Sequence, residues 1–214
     1  MSKSTAIEPP RTIVFDLGGV MAEISHSWEG ASAVSGVPCS KLAGGKTKLT
    51  AMPEFDEYQA GSITLDAYLD RLTEFVGCER AEALRLHNGI LVVEYPGVKD
   101  LVAEVVAHGC RTGCLSNTNE PHWEVLALNG QYPTIHSLEM KMASHLVGLN
   151  KPSPAIYERY CREFGLVPSD IAFFDDGASN VEGALACGWH ARRIDPSQDT
   201  PAQMRSYLSE LGVI

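Results

Sequence analysis

Near the start of the chain, a short run of apolar residues ends in a single carboxylate. Ile13-Val14-Phe15 is followed by Asp16 and then, after Leu17, by Gly18 and Gly19. A β-branched and aromatic run of this length predicts a buried strand, and the two glycines predict a tight turn after it. A carboxylate at the end of a buried strand is costly unless a cation or a reaction uses it. The pattern therefore makes Asp16 a candidate for chemistry.

From residue 22 to about 95 the apolar pattern is helical and predicts no strand. Thr64 is a typical N-cap residue, and the apolar positions behind it recur at helical spacing, namely Leu65, Tyr68, Leu69, Leu72 and Val76. The segment Ala81–Leu91 predicts another helix. We therefore expect a helical insert directly after the first strand.

From Tyr95 onward, strand and helix patterns alternate along the chain. Strands are predicted at Arg111–Leu115, Ile171–Phe174 and Ala191–Ile194. Helices are predicted at Val98–Val106, Pro121–Asn129, behind the capping pair Ser153-Pro154, at Ser179–Cys187 and at Pro201–Leu211. This alternation predicts an α/β fold, in which a doubly wound parallel sheet carries helices on both faces. We expect an α/β core domain of residues 1–21 and 96–214 and a helical cap domain of residues 22–95.

Composition limits the partners of the chain. Its 214 residues are 44% hydrophobic and 21% charged, which is typical of a globular protein. Lys and Arg number 17 against 27 Asp and Glu, and the net charge of -10 argues against nucleic acid and anionic membranes as partners.

Neither a membrane span nor a zinc site is expected. No apolar run approaches the length of a membrane span, and Met1–Pro10 lacks an apolar signal core. The six cysteines lack zinc-binding spacing and fit buried, reduced thiols. We expect a cytoplasmic protein that is a monomer or a homodimer.

Polar residues follow three of the predicted strands. Asp16 follows the first, Ser116-Asn117 the second and Asp175-Asp176 the third, while Lys151 precedes a helix. Functional sites of open parallel sheets form at the carboxyl ends of the strands. Carboxylates for a divalent cation, a hydroxyl and backbone N–H groups for an anion, and one ammonium suit phosphoryl transfer. Taken singly, these residues also fit helix caps, a turn and a solvated loop lysine.

Four segments, in this order, resemble the motifs of the haloacid dehalogenase-like hydrolases. They read Phe-Asp-Leu-Gly-Gly-Val, Leu-Ser-Asn-Thr-Asn, Asn-Lys-Pro-Ser-Pro-Ala-Ile-Tyr and Phe-Phe-Asp-Asp-Gly-Ala-Ser-Asn. The resemblance covers residues 12 to about 195 and is strongest to the branch with a small helical cap, which includes sugar-phosphate phosphatases. It implies a Rossmann-like core with an inserted α-helical cap over the site.

The resemblance also implies a nucleophile and a metal site. Asp16 would attack phosphorus and form an aspartyl-phosphate, while its other oxygen binds Mg²⁺. The backbone carbonyl of Gly18 and the carboxylate of Asp176 would complete the protein ligands. Asp175 would lie in or next to this set, and Asn180 would orient it.

A phosphate site is implied as well. Ser116 and the amide of Asn117 would hold phosphoryl oxygens, and Lys151 would neutralise the nucleophile and the transferring group. The expected reaction is Mg²⁺-dependent hydrolysis of a small phosphorylated metabolite, such as a sugar phosphate. His122-Trp123, which follows this loop, either lines the pocket or packs in a helix.

Gly18 departs from the pattern of the family. Many phosphatases of this superfamily carry a second Asp at that position, which protonates the leaving oxygen and later activates water. The substrate would then have a leaving group that needs little acid help, or a water or a cap residue such as His26 would replace the acid. Two alternatives stay open, namely a catalytically weak phospholigand-binding or regulatory protein and a metal-independent 2-haloacid dehalogenase.

Overall fold

Two sheets form the strand framework in the computed structural model, which describes residues 8–42 and 45–214. The strands of these residues are β1 (Thr12–Phe15), β2 (Ala22–Ile24), β3 (Leu91–Glu94), β4 (Arg111–Ser116), β5 (Met140–Ala143), β6 (Ile171–Asp175) and β7 (His190–Arg193). The main sheet has the order β5-β4-β1-β6-β7, and its neighbours pair in parallel. β2 and β3 form a separate antiparallel pair.

The helices of residues 22–95, here called the cap region, come first in the chain. They are α1 (Trp28–Ser35), α2 (Glu54–Gln59), α3 (Leu65–Val76) and α4 (Ala83–Asn88). Those that follow are α5 (Val98–Ala107), α6 (Glu120–Trp123, extended by the π-helical turn Glu124–Leu128), α7 (Pro133–His136), α8 (Ser144–Val147), α9 (Pro154–Phe164), α10 (Ala178–Ala186) and α11 (Thr200–Glu210). None of the helices in the described ranges is long and apolar enough to cross a bilayer.

The main sheet is apolar on both faces, which confirms the predicted α/β fold. In β1, the side chains of Ile13 and Phe15 join one buried cluster and that of Val14 joins another, as the two-residue period of a strand requires. Helices α5 and α11 cover the first face, and α9 and α10 cover the second. Because helices cover both faces of the sheet, the polar residues of these strands lie at the strand ends.

Residues 28–90 have a hydrophobic cluster of their own. It contains Trp28, Phe55, Tyr68 and Leu72, all of them buried. The predicted cap on Thr64 is confirmed, because its side chain accepts a hydrogen bond from the backbone N–H of Ala67 at 3.3 Å. The domain boundaries at residues 22 and 95 stay a prediction.

Two expectations for this region are wrong. Residues 22–95 contain the strands β2 and β3, although the apolar pattern predicted none. The helix predicted over Ala81–Leu91 ends at Asn88, because the chain turns at Gly89 and Leu91 opens β3. Strands of three and four residues are too short to give a two-residue period that can be separated from a helical one.

Two further differences concern the core. The sequence predicted no strand at β5, whose Met-Lys-Met-Ala sequence lacks β-branched residues but pairs with β4 along the whole strand. Ser153 precedes α9, but its side chain makes no capping hydrogen bond; Pro154, at the first position, is suited to start the helix.

Gly113 is required in the strand that leads to the candidate site. A Cβ at this position would lie 2.5 Å from the carbonyl oxygen of Met140 and 2.9 Å from its Cβ. We expect Gly113→Ala to lower the free energy of unfolding by about 2 kcal/mol, because overpacking displaces β5. Urea denaturation measures the change. Gly45→Ala is the control, since no atom of the described residues lies within 4 Å of a Cβ at that position. Equal denaturation midpoints for the two variants would contradict the requirement for glycine at position 113.

Candidate active site

The carboxyl ends of β1, β4 and β6 lie side by side at one edge of the main sheet. β1 pairs with β4 through Phe15 and Cys114, and with β6 through Phe15 and Phe174. The residues that follow these positions therefore meet at the same edge. They are Asp16 after β1, Ser116 at the end of β4 and Asp175 at the end of β6.

Lys151 lies between two of these carboxylates. Its Nζ is 2.9 Å from Oδ1 of Asp16 and 2.6 Å from Oδ2 of Asp175. The side chains of Lys151 and Asp175 are fully buried, and that of Asp16 is 12% exposed. An ammonium is stable in such surroundings only when it is paired, so each of the three groups depends on the others.

Burial dominates the ionisation of this cluster. It raises the pKa of Asp16 to about 7, because the opposing effect of Lys151 is partly offset by the nearby charges of Asp175 and Asp176. Burial and the charge of Asp175 also raise the pKa of Asp176. For Lys151, burial lowers the pKa, but the two carboxylates outweigh burial and the net shift is upward. Lys151 is therefore an ammonium at neutral pH.

Three carboxylates could share a metal ion at this edge. One oxygen from each of Asp16, Asp175 and Asp176 lies within 4.8 Å of the other two. Oxygen ligands of this kind suit Mg²⁺, which binds through one or two carboxylates and keeps several waters. Gly19 makes room for the third carboxylate, because a Cβ there would lie 2.7 Å from Oδ2 of Asp176. The donor set fits the ion.

Asp175 is held on both of its oxygens. Oδ2 accepts the bond from Lys151, while Oδ1 accepts from the backbone N–H of Gly177 at 2.8 Å and from Nδ2 of Asn180 at 2.9 Å. The hydroxyl of Tyr157 in turn donates to the backbone carbonyl of Asn180 at 2.7 Å. Asp175 is therefore fixed in orientation, whereas Asp176 is the more exposed carboxylate of the pair.

Asn117 fixes the backbone of Lys151. The Nδ2 group of Asn117 donates to the carbonyl of Lys151 at 2.9 Å, and its Oδ1 accepts from the N–H of Lys151 at 2.8 Å. This paired contact joins the end of β4 to the loop before α9. The sequence pointed to the amide of Asn117 as a phosphate ligand but did not reveal this use of its side chain.

A cavity of about 100 Å³ adjoins this edge of the sheet. Residues 1–21 and 96–214 contribute Gly18, Ser116, Asn117, Thr118, His122 and Leu126, and residues 22–95 contribute Ile24, Leu49, Phe55, Gln59, Ile90 and Leu91. His122 lines the pocket, which is one of the two expectations for it. The wall contributed by the cap region is apolar except for Gln59.

An apolar side chain covers Gly18. A Cβ at position 18 would lie 2.9 Å from Cδ1 of Ile24, which belongs to β2. The space next to Gly18 therefore holds hydrocarbon. His26, the proposed substitute acid, is exposed and lies close enough to Asp176 to oppose part of the rise that burial causes in the pKa of that carboxyl; its participation in the reaction stays a hypothesis.

Two contacts from the cap region were not predicted from the sequence. Nε2 of Gln59 donates to the carbonyl of Asn117 at 3.2 Å, and the carbonyl of Gln59 accepts from the hydroxyl of Ser144 at 2.5 Å. That hydroxyl also accepts from the N–H of Thr118 at 2.9 Å. No sequence motif marks Gln59 or Ser144, because their roles arise from packing between distant segments.

Comparison with known proteins establishes the family. The family model described as haloacid dehalogenase-like hydrolase matches residues 10–188. The chain belongs to this family of hydrolases.

Two relatives, one named a phosphatase and the other a dehalogenase, match almost the whole chain. Phosphatase MT3486 of Mycobacterium tuberculosis (strain CDC 1551 / Oshkosh) is 29% identical over 94% of this chain and 95% of its own length. (S)-2-haloacid dehalogenase 1 of Pseudomonas sp. (strain CBS-3) is 26% identical over 92% of this chain and 83% of its own length. A family enzyme of Bacteroides thetaiotaomicron, crystallised with magnesium and inorganic phosphate, has a TM-score of 0.70 and 21% identity over 91% of this chain and 97% of its own.

The raised pKa of Asp16 predicts a pH-dependent stability of the metal-free protein. Since the pKa is about 7 in the folded state against 3.8 for the ordinary group, the folded state binds more protons between these values. Stability is then lost as the pH rises through 7. In EDTA at about pH 8, we expect Asp16→Asn to be more stable than wild type by about 2 kcal/mol, with a smaller gain at about pH 5.

Urea denaturation at the two pH values measures this difference. Glu158→Gln is the control, because this exposed carboxylate on α9 lies outside the cluster and should show no such pH dependence. A destabilised Asp16→Asn at the higher pH would contradict the predicted sign.

Proposed function

We propose that the protein is a Mg²⁺-dependent phosphatase that hydrolyses a small phosphate monoester through an aspartyl-phosphate on Asp16. The main observation in support of this proposal is the excess of negative over positive charge in the site. Asp16, Asp175 and Asp176 supply three carboxylates against the single ammonium of Lys151, which leaves two negative charges uncompensated when all are ionised. A divalent cation would neutralise them. The name of the M. tuberculosis relative and the contents of the B. thetaiotaomicron crystal support the same interpretation.

Asp16 has the surroundings of a nucleophile. Its Oδ1 faces Lys151 and accepts a 2.7 Å hydrogen bond from the N–H of Leu17, and both contacts favour the ionised carboxylate. In the first step a carboxylate oxygen attacks phosphorus while the bond from phosphorus to the leaving oxygen breaks. Water then attacks phosphorus of the aspartyl-phosphate, which releases inorganic phosphate and restores the carboxylate.

The other site residues would bind and orient the reacting groups. Ser116 and the backbone of Asn117 hold phosphoryl oxygens, and Lys151 compensates charge that develops on them. Asp176 and the carbonyl of Gly18, together with Asp16, would hold Mg²⁺, while Asp175 positions Lys151. Bound Mg²⁺ would supply charge neutralisation for the phosphoryl group.

The substrate would be small. The cavity beside Ser116 measures about 100 Å³ and is mainly apolar on the side of the cap region, with Gln59 as a polar group. A compact phosphorylated metabolite, such as a short sugar phosphate, suits this space better than a nucleotide. The net charge of -10 also argues against nucleic acid as a substrate.

A second candidate is a protein that binds phosphoryl ligands with little turnover. The observation that favours it is the contact between Ile24 and Gly18, which places hydrocarbon rather than an acid next to this edge of the site. Dehalogenation would also need no acid, because a halide leaves unprotonated. However, a metal-independent reaction leaves two of the three carboxylate charges without a counter-ion when all are ionised, so we favour phosphoryl chemistry.

Activity should depend on Mg²⁺ and on two carboxylates. On a panel of small phosphate monoesters, we expect EDTA, Asp16→Asn and Asp176→Asn each to lower kcat/KM at least about 100-fold. EDTA and Asp176→Asn would remove or weaken the cation that stabilises transition-state charge, and Asp16→Asn would remove the nucleophile. Phosphate release measures the rates. Asp100→Asn, at an exposed position of α5, is the matched control. Halide release from a 2-haloacid in EDTA, with no phosphate release in Mg²⁺, would overturn the proposal.

The apolar contact at Gly18 predicts a steep dependence on the leaving group. Without an acid beside the leaving oxygen, aryl phosphates of decreasing phenol pKa should react progressively faster. In the double variant Gly18→Asp/Ile24→Ala, which supplies a carboxyl and the space for it, the slope of log kcat/KM against phenol pKa should become shallower. Ile24→Ala alone is the control. A flat dependence in wild type would show that another group supplies the proton.

A further inference from the structure

A buried polar network joins the cap region to the segment that follows β4. It consists of Tyr68 on α3, His87 on α4, Asn119 at the N-cap of α6 and His122 on α6. Tyr68, His87 and Asn119 are fully buried and His122 is 4% exposed. The rings of His87 and His122 stack with centroids 4.0 Å apart and an interplanar angle of 5°. Buried polar groups of this number are costly unless every one has a partner.

The hydrogen bonds determine which ring nitrogens carry protons. Nε2 of His87 lies 3.0 Å from Oδ1 of Asn119, an atom that only accepts, so Nε2 is protonated. Nδ1 of His87 then accepts from the hydroxyl of Tyr68 at 3.0 Å. In the same way, Nε2 of His122 donates to the carbonyl of His87 at 3.1 Å, and its Nδ1 accepts from Nδ2 of Asn119 at 3.4 Å. Both rings are satisfied as neutral imidazoles.

Burial supports the neutral state of both rings. It lowers the pKa of His87 to about 4 and lowers that of His122 well below its usual range. Neither ring is therefore suited to exchange protons with a substrate at neutral pH. Any contribution of these two rings to the reaction therefore comes from hydrogen bonds that position neighbouring residues.

Asn119 connects this network to the phosphate-binding segment. Its Oδ1 accepts from His87 and also from the backbone N–H of His122 at 3.3 Å, which makes the same atom the N-cap of α6 and the anchor for His87. Asn119 lies three residues after Ser116 and two after Asn117, whose side chain holds the backbone of Lys151. A shift of Asn119 would therefore displace the segment that carries Ser116 and Asn117.

We infer that His87 is a positioning residue, which sets the Ser116–Asn119 segment for phosphate binding through the hydrogen bond between its Nε2 and Asn119. This role rests on the proposed function, since that function assigns Ser116 and the backbone of Asn117 to the phosphoryl group. It also gives the cap region a part in catalysis beyond the covering of the site. The contact of Gln59 with the carbonyl of Asn117 acts on the same segment from a second helix.

Three variants separate positioning from general stability. His87→Phe keeps a ring for stacking on His122 but removes the donor to Asn119. Tyr68→Phe removes the hydrogen bond on the other side of the same imidazole and leaves the donor in place. His87→Gln restores a donor amide and an acceptor on one side chain.

Kinetics with a phosphate ester and Mg²⁺ provide the first readout. We expect His87→Phe to lower kcat about tenfold with little change in KM, because misplaced oxyanion ligands cost transition-state rather than ground-state binding. Tyr68→Phe should stay within about twofold of wild type, and His87→Gln should recover most of kcat. Mg²⁺ affinity, measured by calorimetry, should be the same in all of them. An unchanged kcat in His87→Phe, or an equal loss in Tyr68→Phe, overturns the inference.

Amide chemical shifts provide a readout that does not depend on turnover. The ¹⁵N–¹H signals of Asn117 and Thr118 should move in His87→Phe, stay near their wild-type positions in Tyr68→Phe and return in His87→Gln. If wild type releases no phosphate from any ester, the proposed function fails and these shifts alone decide the positioning role. Signals that do not move in His87→Phe overturn it.

Discussion

The site depends on one buried ammonium held between two carboxylates. Lys151 contacts Asp16 at 2.9 Å and Asp175 at 2.6 Å, and at such burial each charge is stable only because the others are present. Without the lysine, burial would raise the pKa of Asp16 further, and the proposed nucleophile would be protonated. The paired contact between Asn117 and the backbone of Lys151 and the three donors on Asp175 all serve to hold this arrangement. The pairing leaves an excess of negative charge, which is the reason a divalent cation fits the site.

The region between β1 and α5 determines the other side of the site. Ile24 covers Gly18, Gln59 contacts the carbonyl of Asn117, and His87 contacts Asn119. The carboxylates and Lys151 at the strand ends are therefore held by charge pairing, whereas the cap region contributes hydrocarbon and a few hydrogen bonds. This division separates the two requirements of the proposed reaction. Under the proposed function, the core would activate the phosphoryl group, while the cap region would select leaving groups by size and by their need for a proton.

Sequence patterns identify the parts of this site that follow from the fold class. Because parallel strands end at the same edge of the sheet, Asp16, Ser116 and Asp175 come together there. The positions of the strands in the sequence are enough to predict this. Two contacts cannot be predicted in this way, namely that of Ile24 with Gly18 and the hydrogen bond between His87 and Asn119. They depend on how different segments of the chain pack together. The strands β2 and β3 could not be predicted for another reason. They have only three and four residues, and they form because they pair with each other rather than because of a pattern in their sequence.

The central claim is that Asp16 carries the phosphoryl group during turnover. Rapid quenching of a single turnover with Mg²⁺ and an active phosphate ester, followed by borohydride reduction and peptide mass spectrometry, tests it directly. Reduction converts an aspartyl-phosphate to homoserine, and we expect homoserine at position 16 while phosphate is being released. Complete release of phosphate with Asp16 unmodified at every time point, or homoserine at another aspartate, would contradict it.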